Sequence, residues 1–294
     1  MPHPSTFSIA ACDLETPAWG VAVASKFLAV GAVVPWVRAG AGAVATQSFA
    51  NTAYGPQALE LMQQGLSASE TLRRITQEDP ERVLRQVGLV DARGESATFT
   101  GESCFEWAGG LTGPGYAIQG NILAGAGVVQ AMEQAFLQTQ GALAGRLHAA
   151  LLAGDRAGGD RRGRQSAALY VAKPAGGYGG YNDRWLDLRV DDHTDPVLRL
   201  GELLRLQALY FGHSTEAERV PLEGEMLRKL QGLVARLGYY QGEAHGLLDA
   251  ATQAALEAFL GNENFEERVD WQTGKIDAPV VAYLSQKFEL EKQE

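Results

Sequence analysis

The chain of 294 residues has few cysteines and no long apolar segment. Its two cysteines, Cys12 and Cys104, allow one disulfide at most, and we expect two thiols in a reducing compartment. No stretch approaches the roughly 18 uninterrupted apolar residues that a membrane span requires, so we expect no membrane partner. The opening residues MPHPSTFSIAACD lack a basic segment followed by an apolar one, which predicts no signal peptide and a cytoplasmic location.

Basic residues are also scarce, because 25 lysines and arginines face 35 aspartates and glutamates, for a net charge of −10. Nucleic-acid-binding proteins usually carry a basic surplus, so we expect no nucleic-acid partner. The acidic excess is uneven. From Thr215 to the end, 8 basic and 15 acidic residues give −7, and the preceding residues carry the remaining −3. We interpret this step as a domain boundary and predict two domains, residues 1–213 and 220–294.

Hydrophobic patterning indicates the fold of the larger domain. Four short apolar strands come first, followed by two helices, three strands, two helices, two strands and a last helix that begins near Asp195. Strands and helices therefore come in blocks, which predicts an α+β fold, namely a four-layer αββα sandwich of two packed sheets with helices outside. In residues 220–294, apolar residues at helical spacing predict a small three-helix domain.

Missing motifs exclude several kinds of active site. The five histidines are scattered, no HxxxH, HxH or CxxC pair occurs, and the one dense group of ligand-type residues is Asp191-Asp192-His193, which is typical of a solvated strand end. We therefore expect no metal site. The sequence contains no GxSxG turn, phosphate-binding loop or GxGxxG segment, which argues against α/β-hydrolases and nucleotide-binding enzymes. We expect no cofactor.

Two polar segments near the N-terminus are candidates for chemistry. Thr6 opens the first strand, with Ser8 on the same face. An N-terminal threonine can act as a nucleophile whose own α-amine serves as base, although a purely structural threonine is the simpler interpretation. Gln47, Ser48 and Asn51 follow a buried strand, where they suit an oxyanion site or an ordinary helix cap.

A third candidate is the loop from Asp160 to Gln165, which carries three arginines between glycines. Arginine side chains are suited to binding a carboxylate or another anion. The alternative is that these arginines join neighbouring loops through Asp160. The spacing leaves both possibilities open.

Five segments of the larger domain together resemble the domain-of-unknown-function family 1028. The resemblance covers about residues 5–212, and that family is placed among the N-terminal-nucleophile (Ntn) hydrolases, which implies the αββα sandwich. The segments are Thr6-Phe-Ser-Ile, Gly20-Val-Ala-Val-Ala-Ser-Lys-Phe27, Gly42-Ala-Val-Ala-Thr-Gln47, Gln119-Gly-Asn-Ile-Leu123 and Gly158-Gly-Asp-Arg-Arg-Gly-Arg-Gln-Ser-Ala167.

A more distant resemblance, to proteasome-type β subunits, implies roles for individual positions. Four residues are implied to be catalytic, with Thr6 as nucleophile: Thr6, Lys26, Arg38 and Asn121. Others are implied to bind substrate: Ser25, Gln47, Ser48, Asn51, Asp160, Arg161, Arg162, Gln165 and Ser166. We expect these residues to surround one cleft.

The sequence departs from that pattern in two respects. Arg38 stands where the pattern has its catalytic lysine, and an arginine stays protonated, so it could tune a neighbouring amine but not act as a base. Five residues precede Thr6, so a nucleophilic Thr6 requires cleavage of the Ser5–Thr6 bond.

The C-terminal domain resembles peptidoglycan-binding domains. The residues that carry this resemblance are Leu230-Gln231, Leu237-Gly-Tyr-Tyr-Gln-Gly242, Gly246-Leu-Leu-Asp249, Thr252 and Ala255-Leu-Glu-Ala-Phe259. The resemblance implies peptidoglycan fragments as partners, although an acidic domain is not suited to anionic wall polymers. A helical appendage that extends a core or an oligomer interface is the alternative.

The motifs and the resemblances leave two possible functions for this protein. The first is an Ntn-type amidohydrolase that cleaves a C–N bond in a small amide, peptide or muropeptide. The second is a catalytically inactive Ntn fold that binds an anionic ligand, with the helical domain for partner or oligomer contacts. The small-residue strands also predict a homo-oligomer.

Overall fold

The structure is a computed structural model that describes residues 6–212 and 214–290. It divides into two compact units, Met1–Leu204 and Arg205–Glu294. This division falls within the helix Pro196–Phe211, whereas the charge step in the sequence predicts domains of residues 1–213 and 220–294. Ser5 lies outside the described residues, so cleavage of the Ser5–Thr6 bond stays a prediction.

Ten strands of the first unit form two antiparallel sheets. Sheet A has the order β10-β9-β2-β1-β8-β7, and sheet B has the order β3-β4-β5-β6. The strands are β1 (Thr6–Asp13), β2 (Ala18–Ser25), β3 (Pro35–Arg38), β4 (Gly42–Ser48), β5 (Arg85–Asp91), β6 (Ser96–Thr100), β7 (Gly109–Gly113), β8 (Tyr116–Asn121), β9 (Ser166–Ala172) and β10 (Arg184–Val190).

Helices cover the outer face of each sheet. They are α1 (Tyr54–Gln63), α2 (Ala68–Gln77), α3 (Gly127–Gln138), α4 (Leu143–Arg156) and α5 (Pro196–Phe211). Leu59 and Ile75 of α1 and α2 pack with Leu89 of sheet B. Met132 of α3 and Leu147 of α4 pack on sheet A. The four-layer αββα sandwich predicted from the block order is confirmed.

The alternation of side chains along β1 divides its residues between two cores. Phe7, Ile9 and Ala11 pack among α3 and α4, while Ala10 and Cys12 pack in the layer between the two sheets. Successive side chains of a strand point to opposite faces, so Thr6 and Ser8 also face the layer between the sheets. The first residue of β1 therefore lies at the open end of that layer.

The second unit contains the three predicted helices and a small antiparallel sheet that the sequence analysis did not predict. Its elements are β11 (Arg219–Pro221), α6 (Gly224–Arg236), α7 (Ala250–Asn262), β12 (Val269–Asp270), β13 (Lys275–Asp277) and α8 (Ala278–Lys287). Leu230, Phe259 and Leu284 are fully buried in its core. Within the described residues, no helix combines the length and apolar character that crossing a membrane demands.

Candidate active site

The register of sheet A places four polar residues in one row at the end of the sheet. Thr6 is paired with Ser25 on β2 and with Asn121 on β8, and Ser25 is paired with Ser166 on β9. None of the four is more than 2% exposed. Oγ1 of Thr6 lies 3.2 Å from Oγ of Ser25, within hydrogen-bond distance. The row brings together four residues that the sequence analysis assigned to the site.

Gln47 on sheet B holds the backbone of Thr6. Its Nε2 donates to the carbonyl oxygen of Thr6 at 3.2 Å and to Oε1 of Gln86 at 2.8 Å. Its Oε1 accepts a hydrogen bond of 2.6 Å from Oγ of Ser8, which itself accepts one of 2.6 Å from Nε2 of Gln119. Because both ends of the Gln47 amide are engaged, this residue positions Thr6 and is not a free donor for a substrate.

Asn121 and Gln86 extend this buried polar cluster across both sheets. Nδ2 of Asn121 donates to Oε1 of Gln86 at 2.8 Å, and Nε2 of Gln86 donates to the carbonyl oxygen of Gly120 at 2.7 Å. We call Ser8, Gln47, Gln86, Gln119 and Asn121 the inter-sheet polar cluster. Each of its members is at most 1% exposed. Asn121 therefore lies beside Thr6 as predicted, with its amide directed to Gln86.

A cavity of about 320 Å³ opens beside Thr6. Most of its walls are apolar side chains, and its polar residues include Thr6, Gln47 and Ser48. Ser48 ends β4 with φ 67°, in the left-handed region, and lines the cavity. The full lining is Thr6, Phe27, Val30, Val33, Val34, Gln47, Ser48, Phe49, Ala50 and Arg85.

Ser166 fastens one wall of this cavity to sheet A. Its Oγ accepts a hydrogen bond of 3.1 Å from the N–H of Val30 and donates to the carbonyl oxygen of Phe27. Ser166 is fully buried, so it is a structural residue of the site and does not face a ligand. Ser166 lies near Thr6 because both residues belong to the row that contains Ser25.

The part of the wall at Arg85 depends on Asp79, which accepts hydrogen bonds from three side chains. Oδ2 of Asp79 accepts from Nε of Arg85 at 2.9 Å, from the hydroxyl of Tyr54 at 2.9 Å and from Nδ2 of Asn51 at 3.1 Å. Burial by itself would raise the pKa of Asp79, but these hydrogen bonds and one from the N–H of Glu81 outweigh it and hold the pKa well below its usual range. Asn51 thus supports the start of α1 rather than a substrate.

The glycine-rich loop lies at the same end of sheet A. Oδ2 of Asp160 accepts a hydrogen bond of 2.7 Å from the N–H of Lys26, the residue after Ser25. The N–H of Gln165 donates to the carbonyl oxygen of Ser25 at 3.1 Å. Asp160, Gln165 and Lys26 are therefore brought to the Thr6 end of the sheet. Nζ of Lys26 donates to the carbonyl oxygen of Arg164, so its ammonium group joins this loop and not the Thr6 hydroxyl.

Two of the three loop arginines are paired with carboxylates. Arg162 forms an ion pair of 3.0 Å with Asp160, and Arg164 forms ion pairs of 2.7 Å with Asp155 and 2.9 Å with Asp195. Arg161 is exposed. Arg162 and Arg164 therefore join neighbouring segments, which is the second of the two possibilities that the sequence left open.

Arg38 does not lie at the site, which corrects the position that the proteasome comparison implied. It ends β3 opposite Gly42, at the start of β4, whereas Gln47 lies near the other end of β4. At about 3.3 Å per strand residue, the two positions are roughly 16 Å apart. The side chain of Arg38 contacts Glu60 and Gln63 of α1. Val33 and Val34 line the cavity beside Thr6 instead.

Among the described residues, no carboxylate, amine or imidazole lies within hydrogen-bond distance of the Thr6 hydroxyl, whose one hydrogen bond is to Ser25. Nor do those residues contain a group of three or more side chains suited to a metal ion. Cys104 lies nearby, where burial raises the pKa of its thiol despite a hydrogen bond with Ser48. In a chain that begins at Thr6, the α-amine of that residue would be a base close to this hydroxyl.

Comparison with protein families agrees with this architecture. The model of a family of unknown function, DUF1028, matches residues 6–200. The chain belongs to this DUF1028 family. A second family, described as "Putative peptidoglycan binding domain", matches residues 210–284. The resemblances to DUF1028 and to peptidoglycan-binding domains are confirmed.

Solved structures include another member of the DUF1028 family. The protein SPO2555 from Silicibacter pomeroyi is 32% identical, the match covers 69% of this chain and 89% of that chain, and the TM-score is 0.63. Anbu (ancestral beta-subunit) from Yersinia bercovieri is 10% identical over 71% of this chain and 98% of that chain, with a TM-score of 0.31, too low to support an argument. No curated protein matches the chain.

Proposed function

We propose that the first unit is an Ntn-type amidohydrolase that uses Thr6 as its nucleophile when Thr6 is the first residue of the chain. The observation that carries the proposal is the position of the Thr6 hydroxyl, at the start of β1, beside a cavity and next to Ser25. The αββα sandwich and the DUF1028 membership are consistent with it.

The chemistry follows from the groups around that hydroxyl. Oγ1 of Thr6 attacks the carbonyl carbon of an amide, its proton passes to the α-amine of Thr6, and the same proton reaches the leaving nitrogen as the C–N bond breaks. Water then attacks the carbonyl carbon of the resulting ester and gives a proton to the α-amine, which passes it to Oγ1 of Thr6 as the ester bond breaks and the carboxylic acid leaves. No metal or cofactor enters this scheme.

The neighbouring residues would orient these groups. Ser25 fixes the rotamer of the Thr6 hydroxyl, and Gln47 fixes the carbonyl group of Thr6. Ser48, which lines the same cavity, is the donor that we assign to the developing oxyanion. Ser48 lies beside the thiol of Cys104, and sulfur is a weak hydrogen-bond acceptor, so the hydroxyl can turn to a substrate at small cost.

The alternative function, anion binding by an inactive fold, has less support. It depends on arginines that are available to a ligand, but Arg162 and Arg164 are paired with Asp160, Asp155 and Asp195. Breaking such pairs to bind an anion would leave the carboxylates without their partners.

The test of the proposed function compares three chains that begin at residue 6, with Thr6, Thr6→Ser or Thr6→Ala. Hydrolysis of a panel of acyl p-nitroanilides is followed by the release of p-nitroaniline. We expect turnover by the Thr6 and Thr6→Ser proteins and a loss of about 1,000-fold or more in the Thr6→Ala protein, since only that change removes the hydroxyl. Equal turnover in all three chains would assign the reaction to other residues.

The second unit is proposed to bind peptidoglycan fragments, because its match to the second family spans most of the unit. The polar loop between α6 and α7 is built on Gln231, whose amide is buried between Thr252 and the N–H of Gly246. Retention of the full chain on purified peptidoglycan, measured across a salt series, tests this partner, and no retention at any ionic strength would contradict it. We also propose that the protein is cytoplasmic and that it forms a homo-oligomer.

A further inference from the structure

The cavity beside Thr6 is polar at one end and apolar along its walls. The polar end consists of Thr6, Gln47 and Ser48. The remaining wall is formed mainly by three valines, two phenylalanines and an alanine, namely Phe27, Val30, Val33, Val34, Phe49 and Ala50. A group that enters this cavity therefore loses water to apolar contacts, which favours a hydrocarbon group and disfavours a charged one.

Arg85 also lines the cavity, but its charge is already neutralised. Its Nε donates to Asp79 at 2.9 Å, its Nη2 to Glu81 at 2.6 Å, and its Nη1 to the carbonyl oxygen of Phe49 at 2.7 Å. The side chain of Arg85 is only 12% exposed. All three guanidinium nitrogens thus have acceptors within the protein, and two of these acceptors are carboxylates, which makes a further anion unfavourable there.

Aromatic residues remain accessible next to this cavity. Phe27 is 36% exposed, and Phe105, at 41%, lies against Phe49 with 6.4 Å between the ring centroids. Large apolar side chains left in water beside a cavity are typical of a site that receives an apolar ligand. Their position continues the apolar wall from the cavity to the surface.

We infer that this cavity is the acyl subsite of the enzyme and that it selects amides with a compact, uncharged, apolar acyl group such as phenylacetyl. The inference rests on the proposed function of Thr6 as nucleophile. A carbonyl carbon within reach of Thr6 Oγ1 directs its acyl group along the apolar walls, with its oxygen near Ser48. The volume of about 320 Å³ is at the small end of ligand pockets, which favours a compact acyl group over a long extended chain.

The test measures binding without turnover, in the full chain carrying Thr6→Ala. Phenylacetamide and succinamate, which differ in the charge of the acyl group, are titrated by calorimetry. We expect phenylacetamide to bind at least about tenfold more tightly than succinamate. Ala50→Leu, which adds a side chain at the cavity wall, is expected to weaken phenylacetamide by roughly tenfold or more. The matched control is Ala53→Leu, at an exposed position three residues further along, which should leave the affinity unchanged.

Thermal unfolding shows whether the Ala50→Leu protein is folded. If it is not, a second variant tests the same wall of the cavity. Val33 is only partly buried, so Val33→Asp places a carboxylate in the wall with less risk to the core, and it should also abolish the preference for phenylacetamide. Absence of phenylacetamide binding, preference for succinamate, or equal affinity in the Ala50→Leu and Ala53→Leu proteins would overturn the inference.

This experiment separates the inference from the function on which it rests. Binding of phenylacetamide without any turnover by a chain that begins at Thr6 would refute the nucleophile and leave an apolar binding site. Turnover by Thr6 with a preference for succinyl p-nitroanilide would support the nucleophile and refute the acyl subsite.

Discussion

The layer between the two sheets has an apolar half and a polar half, and the same strands supply both. We call the apolar half the dry half. Along the inward face of β1, Thr6 and Ser8 contribute to the polar half, whereas Ala10 and Cys12 contribute to an aliphatic core with Val21 and other small residues. The dry half needs only shape and apolar surface. The polar half needs a partner for every amide, which makes it the more demanding region to fold.

The polar half is consistent with the proposed function of Thr6, because its hydrogen bonds position that residue at a cost in stability. Buried amides cost free energy unless they are hydrogen-bonded, and Oε1 of Gln119 has no hydrogen-bond partner among the described residues. An aliphatic core would avoid this cost. The cluster instead holds the backbone of Thr6 from sheet B, through Gln47. We therefore expect changes in the two halves to affect stability in similar ways and turnover in different ways.

The largest expected effect on stability comes from Gly88→Ala on β5. A Cβ at Gly88 would lie 1.7 Å from Oε1 of Gln119, so the buried amide would have to leave its position. We expect the free energy of unfolding to fall by about 3 kcal/mol, the upper end of the range for overpacked cores, as measured by urea denaturation. The control is Gly145→Ala in α4, where a Cβ meets nothing within 4 Å and a small gain in stability is expected. Equal stability of both variants would contradict the tight packing of the polar half.

Asp79→Asn is expected to have the next largest effect, at about 2 kcal/mol, because the hydrogen bond that Arg85 donates to Asp79 is charge-assisted. A carboxylate with a lowered pKa in the folded state contributes stability above its unfolded pKa of about 3.9, and that contribution is lost as the pH falls below this value. The free energy of unfolding of the parent should therefore decline more steeply with acid than that of Asp79→Asn. Parallel acid profiles would show that Asp79 does not have a lowered pKa.

The smallest expected effects, about 1 kcal/mol each, come from a matched pair on one face of β1. Ser8→Ala removes the partner of Gln47 and Gln119, and Ala10→Ser buries a hydroxyl in the dry half. Both should lower stability, but only Ser8→Ala should reduce turnover in a chain that begins at Thr6. Urea denaturation and p-nitroanilide hydrolysis check the pair. An equal loss of turnover in both variants would remove the functional distinction between the two halves.

Much of the fold could be predicted from the sequence, because it depends on local patterns. The block order of strands and helices predicts the four layers, and period-two alternation predicts that Thr6 and Ser8 share a face. The row of Thr6, Ser25, Asn121 and Ser166 was reached through the family resemblance, since strand register depends on pairings between distant segments.

Other parts of the site could not be predicted, for physical reasons that differ between residues. Gln86 and Gln119 were missed because a single glutamine in an apolar strand gives no sign of its partner on another sheet. The predicted position of Arg38 was wrong because the comparison matched residues by their order along the chain. The distance of Arg38 from Thr6 depends instead on where β3 begins. Val30, Val33 and Val34 of the cavity wall lie in and directly after the short 3₁₀ helix Val30–Ala32, which is too short to give a periodic signal in the sequence.

The central claim is that Thr6 acts with its own α-amine, and peptide mapping of a covalent adduct tests it most directly. An acetyl-phenylalanyl epoxyketone can bond to both the hydroxyl and the α-amine of an N-terminal threonine. It is incubated with the chain that begins at Thr6, with its Thr6→Ala variant, and with a chain that retains residues 1–5, and the digests are analysed by mass spectrometry. The account predicts an adduct on the peptide that begins with Thr6 and none in the other two chains. Equal labelling of the Thr6→Ala protein, or no labelling of any chain, would contradict it.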